Sequence, residues 1–159
     1  MEKTQTLKQQ VSFTRLLNAP RELVFKVWTD PVHLAKWWGP KGFTNPVCKA
    51  DARTGGAIYI DMQAPDGVVH PMTGTFTEVV KPSKLVFTAQ AHFDENNIPL
   101  IEVLITVTLT EEKGKTRIVV EAIVTKMIGA GAQSVAGMEQ GWGESLDRLK
   151  ALLEKITAA

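Results

Sequence analysis

The chain has one cysteine, Cys48, among its 159 residues. No internal disulfide can brace it, and a reducing cytoplasm is the expected compartment. An excess of charge of either sign is also missing. The 18 basic and 17 acidic residues are interspersed, which argues against nucleic acid or an anionic membrane surface as partner. No apolar run is long enough to span a bilayer, and the opening "MEKTQTLKQQ" lacks the apolar core of a secretory signal, so membrane insertion is not expected. No repeat, low-complexity tract or linker-like stretch divides the sequence, and residues 1–159 are expected to form one domain. A chain of this length buries roughly 70% of its unfolded surface.

Recognisable catalytic chemistry is absent too. Ser12, Ser83, Ser134 and Ser145 lie outside any G-x-S-x-G context, and Cys48 in "PVCKA" reads as an inert thiol on a strand. His33, His70 and His92 are far apart in sequence, without the spacing of a metal site, and surface or turn roles are expected for them. "TGGA" and "GAGA" lack the lysine and the strand-to-helix setting of a phosphate loop. No catalytic residue, metal or cofactor is expected. Carboxylates leave a residual case: Asp61, Glu78, Glu102 and Glu121 fall within predicted strands and would act as acid or base only if they faced an apolar pocket. Arg53 and Arg117 are candidate partners for them. "GTFTEVV" breaks alternation between Phe76 and Val79, which predicts a bulge at Glu78.

What is present has a clear order. Residues 7–18 alternate around Val11, Phe13 and Arg15 and predict a first strand. In "APRELVFKVW", Pro20 suits a helix start, and Leu23, Val24, Val27 and Trp28 share one helical face. In "TDPVHLAKWWG", Asp30 caps, Pro31 opens, Leu34, Trp37 and Trp38 line up, and Gly39 stops a second short helix. From residue 43 to 127 the period becomes two. Short turns ("APDGV", "KPSK", "DENNIP", "EEKGK") separate strands rich in β-branched residues, which implies antiparallel neighbours. Residues 133–157 predict a long helix whose stripe runs Val135, Met138, Trp142, Leu146, Leu149, Leu153 and Ile156. Gly137 and Gly141 in its first half suggest close backbone approach or unfilled space.

Strand, two helices, antiparallel strands and one long helix make an α+β layout. A curled antiparallel sheet and a straight helix meet along a line, which leaves room for a ligand pocket. Trp37, Trp38, Phe43, Met62, Met72, Phe76, Phe87, Met138 and Trp142 are the residues placed around it. Of the paired tryptophans, one ring is expected in the core and one at the mouth, with "GPKGF" as the lip.

"NAPRELVFKVWTDPVHLAKWWGPKGFT", "TGGAIYIDM", "GTFTEVVKPSKLVFT" and "GMEQGWGESLDRLKALL" together resemble the bacterial relatives of the activator of heat-shock-protein-90 ATPase, within the START-related (SRPBCC) superfamily. The resemblance spans about Val11 to Leu153. It implies a helix-grip fold, in which a curved antiparallel sheet grips a long C-terminal helix around a hydrophobic cavity. Three roles follow as expectations. The first is non-enzymatic binding of a hydrophobic or lipid-like molecule; the second is cavity-based catalysis of cyclase, isomerase or hydrolase type. The third is a chaperone or regulator partnership, and against it stands the expectation that 159 residues leave no room for the separate N-terminal domain of the eukaryotic co-chaperone. Ligand binding is the preferred expectation.

Overall fold

The computed structural model describes residues 10–128 and 137–158. Among them, β1 (Gln10–Leu17) is followed by α1 (Arg21–Thr29) and α2 (Pro31–Trp37). Six strands come next: β2 (Thr44–Ala50), β3 (Ala57–Gln63), β4 (Val69–Val80), β5 (Lys84–Phe93), β6 (Pro99–Glu112) and β7 (Lys115–Met127). Helix α3 (Met138–Ala158) closes the order. Positions 7–9 of the predicted first strand and 133–136 of the predicted long helix, with Ser134 and Val135, lie outside the described residues.

All seven strands form one antiparallel sheet in the order β1-β7-β6-β5-β4-β3-β2. Each hairpin from β2 to β7 pairs with its sequence neighbour, as short turns dictate, and β1 closes onto β7 (Gln10 opposite Ile123, Leu17 opposite Thr116). At Gly74 the sheet backbone packs closely. A Cβ there would lie 1.8 Å from the Thr88 carbonyl oxygen, so only glycine lets β4 and β5 approach so closely.

The short helices follow their local signals. Pro20 is the residue just before α1, and Asp30 caps α2 by accepting the Val32 N–H while Pro31 occupies the first turn. Gly39 follows the end of α2 at φ +97°, a backbone conformation that side chains with a Cβ disfavour. Along α3, Leu146, Leu149 and Leu153 are buried on the inner face of the sheet with Val107, Ile118 and Val120. Met138, Trp142 and Ile156 pack against the same cluster, while Asp147, Lys150 and Glu154 face solvent.

All four tryptophans gather in one cluster. Trp28 meets Trp37 edge-on at 4.7 Å and stacks on Trp142 at 6.3 Å, and Trp38 lies 5.7 Å from Trp37 and 5.5 Å from Trp142. Edge-to-face and offset pairs of this kind add stabilisation beyond area burial.

Candidate functional site: a cavity under the start of α3

The inward side chains of β5 shrink along the strand: Leu85 and Phe87, then Ala89 and Ala91. On α3 the helix changes in the same sense toward its start, from Leu149 and Leu146 to Gly141 and Gly137. Where both elements turn small, a partly open cavity of about 300 Å³ appears. Trp38, Phe43 and Trp142 give it aromatic walls, Met62, Met72 and Met138 give it flexible ones, and Ile101, Val103 and Ile105 line it from β6. Thioethers adapt their shape more readily than branched chains, so this lining can mould to a guest.

Six of the nine residues expected around a pocket therefore border the cavity: Trp38, Phe43, Met62, Met72, Met138 and Trp142. The other three do not. Trp37 is fully buried, and its indole N–H donates to the Val27 carbonyl at 2.9 Å, which fixes the ring as a strut between α1 and α2. Phe76 and Phe87 pack against each other at 5.6 Å in closed core, one step beyond the point where β5 changes to alanine. Alternation assigns all three to the inside but does not separate wall from filler. Of the paired tryptophans, Trp38 is the cavity ring, and at 6% exposure it belongs to the wall rather than to an exposed rim.

The lip is tied down from α3. Arg148 donates through one terminal nitrogen to the carbonyls of Trp38, Gly39 and Pro40 at 3.1, 2.9 and 3.0 Å. One turn earlier, Glu144 accepts the Lys41 N–H at 3.1 Å. Asn45 adds its amide to the Ala35 and Trp38 carbonyls. The guanidinium thus gathers the carbonyls of the loop that follows α2, and its other terminal nitrogen reaches the Lys36 carbonyl in the last turn of α2 at 3.4 Å. Burial pushes the Arg148 guanidinium below its ordinary value. Nothing in the sequence periodicity flagged Arg148, because it flanks the apolar stripe rather than belonging to it.

Two histidines are further residues that sequence reasoning missed. His70 and His92 both border the cavity with ring centroids 6.1 Å apart, and Phe43 lies 6.2 Å from His70. They are 22 positions apart in sequence and are brought together by the pairing of β4 with β5, in which Met72 faces Ala91. Burial, and then the neighbouring His70, hold the His92 imidazole below its ordinary value. His33 sits elsewhere, with Nδ1 2.9 Å from Asp30 at the start of α2.

The carboxylates stay out of the cavity. Asp61 accepts the Tyr59 hydroxyl at 2.7 Å, and Glu102 accepts the Gln90 amide at 3.3 Å. Glu121 alternates with the buried Val120 and Ala122 and does not line the cavity. A bulge between Phe76 and Glu78 is present, but Glu78 reaches Lys84 at 3.3 Å with both side chains well exposed. Arg53 pairs with Asp51 and Arg117 with Glu112, not with the four strand acids. Burial pushes the Cys48 thiol up to about 11, which keeps it protonated and unreactive near neutrality. Ser145 donates to the Gly141 carbonyl in its own helix at 2.9 Å. Among the described residues no three His, Cys, Asp or Glu side chains converge as a metal set, and no helix is long and apolar enough to cross a membrane.

A seven-stranded antiparallel sheet closed by a long C-terminal helix over an apolar cavity defines a helix-grip protein. Residues 18–154 match the family described as Activator of Hsp90 ATPase homolog 1-like protein, and the chain belongs to that family. Solved structures agree. A Chromobacterium violaceum protein is 30% identical, with 92% of this chain and 97% of that one covered and a TM-score of 0.78. An Arthrobacter aurescens protein is 26% identical, covering 96% and 90%, with a TM-score of 0.81. The AHSA1 protein of Silicibacter pomeroyi is 25% identical, covering 91% and 97%, with a TM-score of 0.76. A comparison with curated proteins found no match.

Proposed function

We propose that this protein binds a small hydrophobic or lipid-like molecule in the cavity beneath the start of α3. The observation that carries this reading is the apolar lining formed where Ala89 and Ala91 share a void with Gly137 and Gly141. Its volume, about 300 Å³, lies at the lower end of the range for small-molecule sites. Native mass spectrometry after gentle purification tests the reading directly: a bound molecule is expected with the wild-type chain and reduced in Ala89→Leu, which narrows the void. Failure of the wild-type chain to retain or take up any apolar compound would count against it.

His70 and His92 favour a second reading, an enzyme of cyclase, isomerase or hydrolase type. Imidazoles change charge near neutrality and can move a proton on a molecule held beside them. Turnover of a bound compound that disappears with His70→Gln would support it. The family description also carries a chaperone partnership as a further proposal. Stimulation of the host chaperone's ATPase by the purified chain is the measurement, and an unchanged rate would retire it.

A further inference from the structure

We infer that the molecule taken into the cavity is an amphipathic acid, its apolar body held among Trp38, Trp142 and Ile105 and its carboxylate seated between His70 and His92. This rests on the cavity-binding reading and deepens it.

Among the described residues, the lining contains no lysine, arginine, aspartate or glutamate side chain, and the two imidazoles are its ionisable groups. They also sit at one end. His70 is opposite Met62 near the β3–β4 turn, and His92 adjoins the β5–β6 turn. The other end is aromatic and aliphatic: Trp38 lies 6.2 Å from Phe87, which is opposite Ile105. From Ile101, which faces Ala91, to Ile105 the strand advances about 13 Å, long enough to keep a head group apart from an apolar tail.

His92 reaches this position against the strand's own alternation. Ala91 faces Ile101 and Phe93 faces Pro99. Residue 92 should therefore share the outer face with Thr88 and Gln90. Instead it adopts φ +55°, and its ring borders the cavity beside that of His70. A left-handed backbone is disfavoured for residues with a Cβ, though histidine tolerates it better than most, and such positions concentrate at ligand clamps. The left-handed turn therefore brings a second imidazole, on a residue that stays solvent-exposed, to the border of a largely apolar cavity.

Chemistry then selects the head group. A cation would find no carboxylate among the described lining residues and would oppose protonation of either imidazole. An alcohol would gain an ordinary hydrogen bond. A carboxylate can accept an N–H from each ring, and its charge favours their protonated forms, making both bonds charge-assisted.

Titration calorimetry of the full chain near neutral pH with decanoic acid, 1-decanol and decylamine separates these cases, because the three share a tail and differ at the head. Decanoate is expected to bind at least about tenfold more tightly than decanol, the worth of one charge-assisted hydrogen bond, with decylamine weakest. In His70→Gln combined with His92→Asn, the ratio of decanol to decanoate dissociation constants is expected to fall close to one. Asparagine is chosen because it tolerates the left-handed backbone, and circular dichroism checks the fold. Should that variant not fold, the wild-type series still decides. Decanol equal to decanoate, decylamine tightest, or a preference that survives in the folded double variant would overturn the head-group assignment and leave the cavity reading standing. Binding of none of the three would overturn both.

Discussion

Two stretches of the same strand meet two different interiors. Leu85 and Phe87 of β5 press into a closed core of Phe76, Val107 and the leucines of α3, whereas Ala89 and Ala91 face open space. The backbone is regular through both. What differs is side-chain volume on two facing elements, since α3 turns from leucine to glycine just where β5 turns from phenylalanine to alanine. Curvature of the sheet sets the depth of the interior, but small residues decide which part stays empty. Packing elsewhere is tight enough that such a void needs a local shortage of atoms on both sides.

The sharpest way to break this comparison is truncation in each half. Trp37→Ala removes a fully buried ring and its hydrogen bond to Val27 and is expected to cost about 3–5 kcal/mol in urea unfolding. Met62→Ala at the cavity wall should cost less than half as much, because part of the methionine's surface already faces the void. Equal costs would mean the void is collapsed in solution. Arg148→Met leaves three lip carbonyls without their charged donor, and a loss of about 2 kcal/mol is expected by the same measurement. Enlarging a side chain should change sign between halves. Ala122→Leu overpacks closed core at a cost of about 1–3 kcal/mol, whereas Ala89→Leu is expected to raise stability by about 1 kcal/mol by filling space.

The smallest effect concerns pH. Because burial depresses His92 in the folded state, the unfolded chain takes up its proton first as pH falls. The corresponding stability is fully present above the unfolded value of about 6.5 and is lost as pH falls through the lower folded value. Urea midpoints of the wild-type chain are expected to decline across that window, and those of His92→Asn to decline less. A slope unchanged by the substitution would detach His92 from the cavity-border setting described for it.

Much of the architecture was legible because each signal was local. Asp30-Pro31 opened α2, Gly39 ended it, and the broken alternation at Glu78 marked a real bulge. The leucines of α3 followed the stripe that periodicity assigned. The cavity was legible only in outline. Phe76 and Phe87 obey the same alternation as Met72, so period two does not distinguish filler from wall. Gly137 and Gly141 hinted at unfilled space, but their partner signal, the step from Phe87 to Ala89, has meaning only once β5 and α3 are known to face each other. His92 was hidden for a different reason: its place at the cavity border goes with a left-handed backbone that alternation does not foresee.

The indole cluster has a practical consequence. Every tryptophan in the chain belongs to it, and two of them, Trp38 and Trp142, form cavity wall while Trp28 and Trp37 sit behind. Excitation absorbed by any indole can pass to its neighbours at these separations, so whatever lies against the front pair changes the ultraviolet emission of the whole group. Tryptophan emission thus offers a test of the proposed binding that needs no dye or label.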